Sequence, residues 1–343
     1  MKNHCKILLF AAITLSIAYF LRPAASPAHE EYRQPELAVQ VEEEESSPEY
    51  LEQYEAWEKA DKEADPINRG TMLIQFTEKY PHSILLPYAE TSYRNVLIEC
   101  DQREKYRELS ALADQWLKHK PGDLQTIAYA AKAAGKLGDN DKRIRHLIEI
   151  YKIRPSGSLA IEIAQACGED RDRRLEWMKT AAQYPENESN FILFYNIAKT
   201  HTDAHEYAKA AEYAHLTLKA ADLVEDPSTQ TEAQLRHVRN ACHHLTGMNQ
   251  MENKRYSEAI QSFKRALEEE KYGEGYYYIG QCIRLMDKNK TEEALPYLAK
   301  SEKQGGSIAS KAKAELETLY RLMHNDTLVG IEKVYRKADK LPI

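Results

Sequence analysis

Three histidines stand close together, at positions 237, 243 and 244. His237 and His244 are seven positions apart, two turns of a helix, so they share one face of any helix built there. Imidazoles on one face are a usual beginning of a transition-metal site. A third donor would have to stand three or four positions away, and those positions hold Asn240, Ala241, Gly247 and Met248. Cys242 points off that face, and His215 lies one helix earlier. No metal site is assigned. Gly273-Glu274-Gly275 places two glycines together but lacks the lysine and hydroxyl of a phosphate loop, so it reads as a turn between helices. The chain has no G-x-S-x-G elbow and no H-E-x-x-H helix. The clusters Arg171-Asp172-Arg173-Arg174 and Glu268-Glu269-Glu270-Lys271 read as solvated faces. No catalytic residue, cofactor or small-molecule substrate is therefore assigned, and the chain is not expected to be an enzyme. The five cysteines include no CxxC pair. Cys100, Cys167, Cys242 and Cys282 read as buried small residues on helices, with a Cys242–Cys282 disulfide as the alternative.

The elements that would hold these residues are helices. From Glu49 onward, apolar residues recur at helical spacing between short breaks. Tyr80-Pro81, Lys120-Pro121, Arg154-Pro155 and Tyr184-Pro185 each close an amphipathic run, at separations of 40, 34 and 30 residues. Proline stops a helix because it has no N–H to donate. Between these stops, pairs of runs follow one another. Tyr54, Trp57 and Ala60 precede Leu73, Phe76 and Tyr80. Tyr93 and Leu97 precede Leu109, Ala113 and Trp116, and Ile127 and Ala131 precede Leu147 and Ile150. Asp139 or Asn140, and Ser228 or Thr229, stand where helices need N-caps. The pattern weakens between Ser156 and Pro185, where Gly168 interrupts it.

Residues 245–304 are the most regular part. Leu245, Gly247, Tyr256, Ala259, Phe263 and Ala266 are followed by Tyr276, Ile279, Gly280, Ala294 and Leu298 at similar places. Gly247 and Gly280 are 33 residues apart, and Ala259 and Ala294 are 35. A recurrence of about 34 residues, with a small residue on the first helix and Ala-x3-large on the second, resembles the tetratricopeptide repeat. The clearest repeats are 240–271 and 273–304. More weakly, Phe76-x3-Tyr80-Pro81-x-Ser83 resembles a phrase of bacterial envelope tetratricopeptide proteins.

The resemblance implies an all-α fold: a right-handed α-solenoid of about eight helix pairs over 49–343, capped by a polar last helix. It also implies a partner protein or peptide in the concave groove lined by the first helix of each pair. The inward positions implied on the best repeats are His244, Met248, Met251, Tyr277, Gln281 and Arg284. The family's lysine and asparagine clamp for a terminal carboxylate is replaced by His244 and Met248, so that subtype is not expected. Tyr276-Tyr277-Tyr278 encircles one helix, so at least one tyrosine should be core and one exposed.

The amino end reads differently. Residues 7–21 are an apolar run after Lys2 and Lys6, with Arg22 and Pro23 behind it. Residues 1–22 suit a short signal anchor, or a cleaved signal peptide with Ser26-Pro27-Ala28 as the cleavage site. Residues 23–48 are an acidic, proline-bearing stalk. Eight glutamates against Arg33 give residues 30–49 a charge of −7, the formal charge of the whole chain. The remainder is near neutral, with no basic face to suggest phosphate-backbone binding, so nucleic acid is not an expected partner. The expectation is a membrane-tethered scaffold or adaptor, N-terminus cytoplasmic and repeats in the periplasm or outside. A secreted or periplasmic protein after signal cleavage is the alternative location, and a non-catalytic accessory subunit of an envelope assembly the alternative role.

Overall fold

The computed structural model describes residues 47–225 and 227–341. Among these residues the regular structure is helical throughout. The helices are α1 (Pro48–Asp61), α2 (Pro66–Lys79), α3 (Leu86–Gln102), α4 (Tyr106–His119), α5 (Leu124–Leu137), α6 (Asn140–Ile153), α7 (Gly157–Ala166) and α8 (Arg171–Ala181). They continue as α9 (Phe191–Asp203), α10 (Tyr207–Asp222), α11 (Thr229–Glu252), α12 (Tyr256–Glu269), α13 (Gly273–Met286), α14 (Thr291–Gln304), α15 (Ala309–Met323) and α16 (Glu332–Asp339). Most have the length of a repeat helix, and consecutive ones form pairs. The fold is the all-α, tetratricopeptide-like array expected.

Local chemistry sets the helix ends. Asp65, Asp123, Asp139, Ser156, Asn190 and Ser228 each accept a backbone N–H from the first turn of the helix that follows. Of the two residues proposed at each break, Asp139 and Ser228 are the caps. Gly138, directly after α5, and Gly168, two residues past the end of α7, take positive φ, where a side chain would be strained. Pro81, Pro121 and Pro155 follow the ends of α2, α4 and α6, and Pro185 opens a short 3-10 turn after α8.

The described residues divide into two compact units, parted between Trp177 and Met178, inside α8. In the first, Leu73, Tyr93, Leu97, Leu109 and Trp116 form a buried core. Tyr93 stacks on Trp116 with ring centroids 4.0 Å apart. A second core gathers Ile127, Ile144, Leu147 and Ile163, with Trp177 packed against it. The second unit has three cores: one around Phe194, Ala214 and Val238, one around Phe263, Tyr276 and Ile279, and one around Leu298, Leu316 and Val334.

Small residues stand where helices come closest. A Cβ on Gly247 would lie 2.7 Å from the Phe263 ring, and one on Gly280 would lie 3.3 Å from Leu298 and 3.4 Å from the Ala294 carbonyl. Ala259 and Ala294 have no exposed surface. Polar side chains add bridges about one repeat long. Ser92 donates to Asp61, 31 residues back, and Lys132 to Asp101, again 31 back.

Three expectations change. Gly273 and Gly275 are not a loop; they are first-turn residues of α13, and Gly273 is packed against the Gly305 carbonyl. None of the three tyrosines is exposed: Tyr276 and Tyr277 are buried, and Tyr278 is half-buried, stacked on Phe263. The membrane location is also corrected. No helix among the described residues is long and apolar enough to cross a membrane. The longest, α11 at 24 residues, carries Glu232, Arg236 and Arg239 along its length. Residues 1–22, on which the anchor was read, and residues 23–46 of the 23–48 stalk lie outside the described residues, while Ser47 caps α1 and Pro48 opens it.

Candidate functional site

Within the second unit, the first helices of three successive pairs, α9, α11 and α13, meet at a cavity of about 300 Å³. Helix α9 contributes Tyr195, Lys199, Thr202 and Asp203. Helix α11 contributes Asn240, Ala241, His244 and Leu245, and the start of α13 brings Tyr272 and Glu274.

Each wall is held by contacts that leave a particular chemistry facing the space. Asn240 is buried and uses its amide to tie down the carbonyls of Ala266 and Glu270, which end α12. His244 Nδ1 and the Tyr272 hydroxyl share a hydrogen bond of 2.6 Å. The His244 ring also meets Phe263 and Tyr278 edge-on. Burial drives the imidazole pKa down to about 4, outweighing the opposing pull of Glu274. His244 is therefore neutral at physiological pH. Lys199 is bound by both carboxylate oxygens of Asp203, at 3.1 and 2.9 Å. Glu274 accepts from the Ser307 hydroxyl.

A second polar cluster lies between α13 and α15. Glu315 accepts from the Tyr277 hydroxyl at 2.9 Å and from Gln281 Nε2 at 2.6 Å, and pairs with Arg284 at 2.8 Å. Arg284 also donates to Gln281 Oε1. The Lys311 ammonium lies 5.1 Å from the centre of the Tyr277 ring.

The six residues placed in the groove from the sequence thus occupy two settings. His244 lines the cavity. Met248 and Met251 are half-buried against the Phe263 core. Tyr277 and Gln281 are buried with their polar ends turned to Glu315, and Arg284 is half-buried beside them. The structure brings Tyr277, Gln281 and Arg284 together, and sets His244 with Tyr272 and the α9 residues instead. Sequence reading missed Glu315, Tyr272, Glu274 and the α9 contribution. One signal for Glu315 was available: it lies 34 residues after Gln281, the same place in the next repeat.

The other histidines do not join the cavity. His237 is exposed and 3.5 Å from Glu270, and His243 is half-buried, its pKa lowered by burial. Among the described residues no group of three or more histidines, cysteines or carboxylates could hold a metal ion. Cys100, Cys167, Cys242 and Cys282 are buried and free, so Cys242 and Cys282 are not bridged.

No protein-family model matches the chain, and no curated protein matches it. Several solved structures align with it. The C-terminal part of a TPR repeat-containing protein from Cytophaga hutchinsonii is 14% identical over 73% of this chain and 95% of that one, at a TM-score of 0.44. A tetratricopeptide repeat protein from Parabacteroides merdae is 14% identical over 80% of this chain and 99% of that one, at 0.33. MamA protein is 15% identical over 52% of this chain and 91% of that one, at 0.36. By its own helix pairs, their lengths and their small-residue contacts, the chain is similar in architecture to tetratricopeptide repeat proteins.

Proposed function

We propose that this protein is a non-catalytic scaffold that holds a segment of a partner protein along the face lined by α9, α11 and α13. The observation that carries the reading is the cavity formed by the first helices of three successive pairs. Its volume is at the lower end for ligand sites and suits one or two side chains of a bound segment. Its walls mix aromatic, apolar and polar groups, as protein interfaces do. His244 is the central contact, Met248 and Met251 extend the surface along α11, and the Glu315 cluster keeps α13 and α15 in register so that the face is preorganised.

A photo-crosslinking residue placed at Thr202, in the cavity wall, tests this. The expected result is one discrete protein adduct from position 202 and none from Arg265, on the second helix of a pair. Equal labelling from both positions, or none from 202, would count against the groove.

A further inference from the structure

The cavity on α9, α11 and α13 has a composition that selects among partners. Its ionisable wall residues are Lys199, Asp203, His244, Tyr195, Tyr272 and Glu274. Lys199, the cation among them, is engaged by both oxygens of Asp203. His244 adds no positive charge, because burial holds it neutral. Among the described residues Glu274 is paired with no cation, and it accepts from the neutral hydroxyl of Ser307. The cavity therefore has one carboxylate in excess. An anionic side chain or a terminal carboxylate entering it would meet Glu274 with no free cation to receive it.

The same walls suit the opposite charge. Tyr195 and Tyr272 supply two aromatic rings, and Ala241 and Leu245 an apolar floor. Lysine and arginine side chains bury their methylene stems against such surface while their charged ends reach a carboxylate. Aromatic faces attract cations, most strongly the planar guanidinium. The cavity's volume of about 300 Å³ accepts one such side chain with the backbone outside. Charge, wall chemistry and volume agree.

We infer that this cavity is a specificity pocket for a basic side chain, arginine or lysine, of the partner segment, with Glu274 as its counter-charge and the Tyr195 and Tyr272 rings as its walls. This rests on the groove reading above and deepens it. It makes the site opposite in sign to a carboxylate clamp.

Random heptapeptides displayed on phage and selected on the immobilised full-length protein test the pocket directly. The enriched peptides should share arginine or lysine at one fixed position. A synthetic peptide of the enriched sequence should bind the Glu274→Gln variant about threefold to tenfold more weakly, as expected for loss of a partly exposed charge partner. Replacing its basic residue by glutamine should weaken binding to the parent protein similarly. Enriched peptides without a shared basic position, but weakened by Thr202→Arg in the cavity wall, would overturn the pocket and leave the groove standing. Enriched peptides indifferent to both variants would overturn both. Failure to enrich any peptide would also overturn the pocket. Circular dichroism of each variant confirms that the comparison is made between folded proteins.

Discussion

Gln281 donates from Nε2 to Glu315 Oε2 at 2.6 Å, joining two residues 34 positions apart on the first helices of neighbouring pairs. The bond is the length of one repeat. Tyr277 and Arg284 close on the same carboxylate, so one acid on α15 organises three side chains of α13. The side chain of Glu315 is 17% exposed, which makes the cluster more than a surface ion pair.

Glu315→Ala would leave the buried Tyr277 hydroxyl and Gln281 Nε2 without their acceptor, and would leave Arg284 only Gln281 Oε1. Unsatisfied polar groups of this kind cost about 1–3 kcal/mol. Urea unfolding should show a loss in that range. Glu315→Gln, which keeps an acceptor oxygen, should lose less. Equal stability of Glu315→Ala and the parent protein would remove the cluster's role in register.

Gly247 and Gly280 occupy equivalent places but differ in room. A methyl on Gly247 would press into the fully buried Phe263 ring, itself stacked on Tyr278. Gly247→Ala should therefore destabilise, by about 1–3 kcal/mol as overpacked sites do. At Gly280 a methyl would meet the end of the Leu298 side chain at 3.3 Å, so that side chain must give by only a few tenths of an ångström, and the helix-forming advantage of alanine over glycine, about 1 kcal/mol, can offset the strain. Thermal melts of the two alanine variants should separate, with Gly280→Ala the more stable. A leucine at Gly280 has no such room and should destabilise.

His244 makes stability depend on pH. Its pKa is about 4 in the fold and 6.5 in an unfolded chain. Between these values the unfolded chain binds the proton and the folded chain does not, so acid favours unfolding. The contribution is fully present above pH 6.5 and is lost as the pH falls toward about 4. Its size is on the order of 2 kcal/mol, allowing for the part of the ring that meets solvent. Denaturant midpoints from pH 7 to 4.5 should fall less steeply for His244→Gln than for the parent protein. Parallel slopes would show that His244 titrates normally.

The buried thiols should be inert. Burial raises Cys100 to about 11 and Cys242 and Cys282 to about 12, so little thiolate exists at pH 8. Iodoacetamide at that pH, followed by peptide mass mapping, should leave these three unmodified in the folded protein and label them in urea. Rapid labelling of Cys242 or Cys282 without denaturant would contradict the packing of the Val238 and Ile279 cores.

How much could be read without the structure differs from residue to residue. The stops at Pro81, Pro121 and Pro155 were legible, and the caps to within one residue (Asp139 or Asn140, Ser228 or Thr229), because a missing N–H or a short polar side chain acts on the nearest turn of backbone. Burial of Ala259, Phe263 and Ala294 was legible from spacing, since one helical face must be covered. The tyrosines at 276–278 were not. A residue's own helix says which face it lies on, but not how much of that face the next pair covers, and here coverage leaves none of the three exposed. Gly273-Glu274-Gly275 reads as a turn because it falls between two repeats. The close packing of Gly273 against the Gly305 carbonyl supplies the reason for a residue without a side chain.

The sequence by itself determined that this chain is an array of paired helices. The signals for that are periodic apolar faces, caps, proline stops and a recurrence near 34 residues, all of which act within a helix or between sequence neighbours. Only the tertiary structure decided which polar residues meet. It set His244 against Tyr272, 28 residues on, and bound Tyr277 and Gln281 to Glu315. It also brought α9 to the wall beside His244. The physical reason lies in helix packing: crossing angles scatter by about 15–20°, and within that range different side chains on the same face come into contact. A repeat pattern names the face, while the packing of several successive helices selects the partners.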